Sequence, residues 1–195
     1  MIVLGIDPGS RNLAAAAIRD QGRRLEFVEG FRLHAEGDFL ARAEAVSDLA
    51  DEWLAALRPA AVACEDVFLQ GRSTTVHQVS HIIGLLHARA RSRGIPFVLL
   101  APSEVKGAVL WGRADKDALA RAVSAMVAGV PERLYGPGGR PVQAGSHLYD
   151  AVAVAVAALT RLRWERIRKE VAARVAVYGV RPAAPQGRGR RRGSA

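Results

Sequence analysis

The run Ile2-Val-Leu-Gly-Ile-Asp7, closed by Pro8-Gly9, constrains the fold more than any other stretch of the chain. An unbroken apolar run suits a strand covered on both faces, and Pro-Gly ends pairing and opens a turn. The reading is a central strand whose last residue, Asp7, places a carboxylate at the border of the core.

Leu13 to Ile18 and Arg24 to Leu33 follow as hairpin strands around Gln21-Gly22. From Asp38 to Leu57 the apolar residues Phe39, Leu40, Ala43, Val46, Leu49, Ala50, Trp53, Leu54 and Leu57 recur at helical spacing, and Pro59 stops the pattern. Ala60 to Val67 reads as a fourth strand, Thr74 to Ser92 as a second helix ended by Gly94, and Pro96 to Leu100 as a fifth strand. Helices at Ser103 to Leu110, Asp115 to Val127 and His147 to about Ala173 complete the order, with a Gly-rich loop over Tyr135 to Gly145. A strand meander followed by alternating helices and strands predicts an α/β domain built on a five-stranded mixed sheet flanked by helices. Residues 1–178 read as one domain and residues 179–195 as a basic disordered tail.

The net charge is +9 with a pI near 10.9, and five of those charges are the arginines of the tail, Arg181, Arg188, Arg190, Arg191 and Arg192. A body that stays basic without its tail points to a polyanion as partner, nucleic acid before membrane, although an Arg-rich composition alone is also compatible with no such partner. The longest apolar stretch, Ala151 to Leu159, is less than half of the roughly 20 residues a spanning helix needs. No basic segment precedes an apolar run at the N-terminus, and the single cysteine, Cys64, makes neither an internal disulfide nor a cysteine cluster. These features lead to the expectation of a cytoplasmic protein.

Acids stand where the pattern calls for apolar residues. Asp7 ends the first strand, Glu65 follows Ala-Val-Ala-Cys in the fourth, and Asp150 precedes Ala-Val-Ala-Val-Ala-Val in the last helix. His147 lies three residues before Asp150, on the same helical face. Carboxylates crowded in a low-dielectric border repel one another unless a divalent cation neutralises them, which makes metal binding the natural explanation. Singly, each residue has a blander role: Asp7 as a turn carboxylate, Glu65 beside Asp66 as a solvated strand end, His147 and Asp150 as helix-start residues with Ser146 as cap.

Four blocks in order carry a family resemblance: Gly5-Ile6-Asp7-Pro8-Gly9-Ser10-Arg11, Glu65-Asp66-Val67-Phe68, Val105-Lys106 with Lys116, and His147-Leu148-Tyr149-Asp150-Ala151. Over about residues 2 to 160 the chain resembles the bacterial Holliday junction resolvase RuvC family. The first block alone is shared with actin-like ATPases, but no second phosphate-binding block follows. The resemblance implies a ribonuclease H-like fold and metal ligands at Asp7, Glu65, His147 and Asp150. It implies hydrolysis of DNA phosphodiesters by two divalent ions, Mg²⁺ or Mn²⁺, with Asp7 shared between them, Glu65 completing one site, and His147 and Asp150 the other. The family commonly has an aspartate where His147 stands, and a neutral imidazole shifts preference towards Mn²⁺.

Lysine usage adds to this, because two of only three lysines among 28 basic residues, Lys106 and Lys116, fall where the family places cations near the scissile phosphate. Otherwise they are exposed surface charges. By the same resemblance Phe68, which could equally pack in a core, stacks on a junction base, and Arg72 belongs to a polar loop facing DNA. A four-way junction cut on two opposing strands calls for a homodimer. The helix stripe Val79, Ile82, Ile83, Leu86 and Ala90 corresponds to the family's dimer helix, or serves as an ordinary core face. The branch-migration proteins RuvA and RuvB are further expected partners. The competing function is a junction-binding protein that does not cut.

Overall fold

The computed structural model describes residues 1–67, 74–110, 116–130 and 145–178. It comprises β1 (Ile2–Asp7), β2 (Asn12–Asp20), β3 (Leu25–His34), α1 (Phe39–Leu57), β4 (Ala61–Glu65), α2 (Thr74–Ser92), β5 (Phe97–Leu100), α3 (Pro102–Val109), α4 (Lys116–Met126), β6 (Val127–Ala128) and α5 (Gly145–Tyr178). The sheet runs β5-β4-β1-β2-β3-β6. β1, β2 and β3 form the antiparallel meander, while β4 lies parallel to β1 and β5 parallel to β4. The α/β expectation holds, with one correction. The sheet has six strands, because Val127–Ala128 pairs with Leu25–Glu26 where the sequence reads as the end of a helix. A two-residue strand is too short to show an alternating pattern.

Strand alternation divides the core into two layers. Leu4, Ile6, Ala15, Ala17, Val62 and Cys64 pack with Val46, Ala50, Trp53 and Leu54 of α1 and with Ile82, Leu86 and Ala90 of α2. Gly5 and Asp7 point to the opposite face, against α5. There a Cβ on Gly5 would collide with the Ala151 carbonyl and the Ala155 amide and would come within 2.8 Å of the Ala155 Cβ. Ala151 to Leu159 are all buried, so the apolar run of the last helix is its seat on the sheet. Small residues on both sides let helix and strand approach this closely.

The helices refine the sequence reading. In α1, Asp38 caps the N-terminus by accepting from the Ala41 amide at 2.9 Å, as its position predicts. Yet Leu40 is exposed, and Arg42 takes a buried place in line with Val46 and Ala50. In α2, Val79, Ile82, Leu86 and Ala90 are buried within the chain and Ile83 is partly buried against them, so the stripe serves as a core face. The last helix also outruns its expected span, since residues 146–178 contain neither Gly nor Pro.

The chain divides into Met1–Arg161 and Leu162–Ala195, a boundary inside α5. Within the second unit the helical residues Trp164, Ile167 and Val171 are exposed, and Arg166 pairs with Glu170 at 3.9 Å. Among the described residues no helix is long and apolar enough to cross a membrane. The tail and most of the Gly-rich segment lie outside the described residues.

Candidate metal centre

Three elements bring the carboxylates together. β1 and β4 are parallel neighbours with Ile6 opposite Cys64, so Asp7 and Glu65 end adjacent strands at the same sheet edge. α5 crosses β1 at Gly5, and its first turns carry His147 and Asp150 to that edge. Ligand atoms of Asp7, His147 and Asp150 lie within 4.8 Å of one another. Nδ1 of His147 is 2.7 Å from Oδ2 of Asp7. Glu65 stands outside that trio but inside its field.

The field is visible in protonation. Burial above all, then the charges of Asp7 and Asp150, pushes the Glu65 carboxyl up to about 7, with Lys106 opposing. Asp150 is likewise raised, first by burial and then by Asp7, while Lys116, His147 and Lys106 pull it back. Both lysines are themselves solvent-exposed; Lys106 sits on α3, which starts directly after β5, and Lys116 opens α4. The α3 start is fixed by Pro102 and by the Glu104 carboxylate, which accepts from the Ala101 amide at 2.8 Å.

Cys64 has no part in this chemistry. It is fully buried on the α1 and α2 face, and burial, then the nearby acids, pushes its thiol far above the ordinary range. Carboxylates crowded at a buried edge, with an imidazole nitrogen converging on them, are a donor set that fits a divalent cation. Asp7, Glu65, His147, Asp150, Lys106 and Lys116 are thus gathered at one end of the sheet. Phe68 and Arg72 lie outside the described residues, as does the side chain of Ser146.

One part of the site was absent from the sequence reading. An open cleft of about 580 Å³ adjoins His147, with Ser10, Arg11, Arg42, Thr75 and Gln78 among its walls. The legible signal was an arginine at position 42, four residues before Val46 on the buried stripe of α1.

Residues 3–158 match the family described as crossover junction endodeoxyribonuclease RuvC. A protein of that name from Saccharopolyspora erythraea is 37% identical over 166 residues, covering 83% of this chain and 78% of that protein. Another from Parafrankia sp. is 42% identical over 120 residues, covering 60% of this chain and 67% of the relative. Among solved structures, Thermus thermophilus RuvC in complex with Holliday junction substrate superposes with a TM-score of 0.72 at 26% identity, over 85% of this chain and 96% of the other.

Proposed function

The chain belongs to the crossover junction endodeoxyribonuclease RuvC family, and from that premise we propose how its own residues divide the work of cutting a Holliday junction. The enzyme hydrolyses DNA phosphodiesters at four-way junctions with divalent metal ions. Asp7, Glu65, His147 and Asp150 would hold two such ions, Mg²⁺ or Mn²⁺. When bound, such ions activate water and stabilise the leaving 3′-oxygen.

The chain contributes position and charge. β1 and β4 fix Asp7 and Glu65 at the ends of hydrogen-bonded strands, the most rigid placement available for two ligands. α5, seated on Gly5, fixes the other pair. Lys106 and Lys116 bring positive charge to the same end and offset negative charge as it develops on the reacting phosphate. Phe68 stacks on a junction base, and Arg72 approaches the DNA backbone. Two copies act on two strands of a nearly two-fold symmetric substrate, so the working form is a homodimer. It acts in the cytoplasm on junctions handled by RuvA and RuvB.

The observation that carries this reading is the convergence of Asp7, His147 and Asp150 within 4.8 Å beside a Glu65 whose carboxyl is pushed up to about 7 by burial and then by the charges of Asp7 and Asp150. The test is cleavage of a synthetic four-way junction in Mg²⁺ and in Mn²⁺ by the full chain and by Asp7→Asn. Paired nicks by the first and none by the second, with junction binding intact in both, are expected. Binding without nicks in either metal would make the protein a junction binder only.

A further inference from the structure

Arg42 is the one charged side chain among the described residues that is buried, at 5% exposure. Its guanidinium donates from Nε to the Ser10 carbonyl at 2.9 Å, from Nη1 to the Gly37 carbonyl at 2.7 Å and from Nη2 to Oε1 of Gln78 at 3.1 Å. Every acceptor is neutral. Among the described residues no carboxylate pairs with it, although Arg19, Arg89, Arg93, Arg161 and Arg166 all have such partners. A cation taken out of water without an anion is costly, and neutral acceptors return only part of the loss.

The place where this charge surfaces is informative. Arg42 lines the cleft beside His147, and among the described residues no acidic one lines it. Arg11 adds a second cation, and the first turn of the 19-residue helix α2 adds Thr75 and the positive end of the helix dipole. The three bonds of Arg42 tie the turn after Asp7 to α1 and α2, while its two other N–H donors have no acceptor among the described residues. Through His147 the cleft is continuous with the metal-ligand cluster.

We propose that this cleft is the subsite for the phosphate next to the scissile one on the cut strand, with Arg42 as its buried cation. The inference rests on the junction-cutting reading and adds to it a route for the strand. The phosphate supplies the anion that the fold leaves out, in the charge-assisted fork that arginine forms with phosphate oxygens. Ser10 and Gln78 keep the guanidinium at the cleft wall, so strand binding also braces the turn that bears Asp7.

The test measures junction affinity without divalent ions, using DNA with a neutral methylphosphonate at one phosphate flanking the cut on either side. The wild-type protein should lose about tenfold in affinity at one flanking position, and the slope of log affinity against log salt should flatten by roughly 0.7 to 0.9, the share of one phosphate contact. Arg42→Met should bind about tenfold more weakly and be indifferent to that methylphosphonate, while Arg42→Lys keeps part of the response. Gln78→Glu guards against a misfolded Arg42→Met, since it gives Arg42 an internal carboxylate; it should melt no lower than wild type yet bind like Arg42→Met. A wild-type protein that cuts junctions but ignores methylphosphonate on both sides, together with Gln78→Glu binding normally, would overturn the subsite and leave the nuclease reading standing. If the wild-type protein neither bound nor cut any junction, the nuclease reading itself would fall.

Discussion

His147 on α5 and Asp7 at the end of β1 meet at 2.7 Å through Nδ1 and Oδ2, although 140 residues separate them in sequence. The contact brings an imidazole nitrogen and a carboxylate oxygen, two of the donors a divalent ion would draw on, to one point of the site. His147→Ala should lower junction cleavage by about 100-fold or more, the upper range for lost metal-site support. His147→Asp should keep cleavage and move preference from Mn²⁺ towards Mg²⁺, because an added anionic oxygen suits the harder ion. Rates of all three proteins in both metals check this, and an alanine variant as active as wild type would remove His147 from the site.

The protonation of Glu65 ties metal binding to pH. Its carboxyl is raised from 4.5 to about 7, chiefly by burial, so the native state without metal holds that proton more tightly than the unfolded chain does. This stabilising contribution is complete below about 4.5 and is lost as pH rises through about 7. A divalent ion binds the ionised form instead and releases the proton, so metal affinity should increase over the same interval. Melting of chelator-treated protein between about pH 5 and 8 should show a decline that Glu65→Gln lacks and that added Mn²⁺ offsets. Parallel curves for wild type and Glu65→Gln would contradict the linkage.

Gly5 sets how deeply α5 sits. A methyl group there meets the Ala151 carbonyl and the Ala155 amide, backbone atoms of the helix that carries His147 and Asp150, so no side chain can rotate away to accommodate it. Gly5→Ala should cost about 1–3 kcal/mol as overpacking, or roughly 2–10 °C in melting temperature. Cleavage should suffer beyond the lost stability, because the helix shift moves two ligands. Gly84, in α2 with nothing within 4 Å of a built Cβ, is the contrast, and Gly84→Ala should raise stability by about 0.5–1 kcal/mol. Calorimetry and cleavage below the melting point of both variants test the pair together.

What the sequence reveals follows from what leaves a local trace. Asp7, Glu65 and Asp150 are legible because each interrupts an apolar run, and their elements are legible because those runs are periodic. Arg42 is hidden for the opposite reason. An arginine on a helix resembles a solvated residue, and its burial depends on Ser10, Gly37 and Gln78, which only the tertiary fold assembles. The exchange of Leu40 for Arg42 on the buried side of α1 has the same origin, since periodicity gives a face to within a residue and the neighbouring elements choose the rotation. The α2 stripe shows the limit of pattern, for Ile82 at 0% exposure would read identically in a core and in a dimer interface.

Lys106 and Lys116 act on the acids from outside the cluster. Lys106 lowers both Glu65 and Asp150, and Lys116 lowers Asp150, so each lies within electrostatic reach of a phosphate held there. Replacing Lys106 by Ala should lower the single-turnover cleavage rate by about 100-fold, as removal of a transition-state charge stabiliser does, with affinity much less affected. Equal losses in rate and affinity would instead make Lys106 a contact that positions the DNA backbone.

The arginines of residues 179–195 supply five of the nine net charges and no acid accompanies them. Counterion release makes such charge effective on any DNA arm within reach, without regard to junction geometry. Deleting the segment should therefore weaken binding to four-way and linear duplex DNA alike and reduce the salt slope by as much as about 4.5, if every arginine engages a phosphate. Melting temperature and single-turnover cleavage at saturating protein should not change, because the last metal ligand is Asp150 and the buried run that seats α5 on the sheet ends at Leu159. Titration of both DNAs across a salt series measures this. An unaltered slope would place the tail away from DNA, and a loss confined to junctions would mean that it reads junction shape.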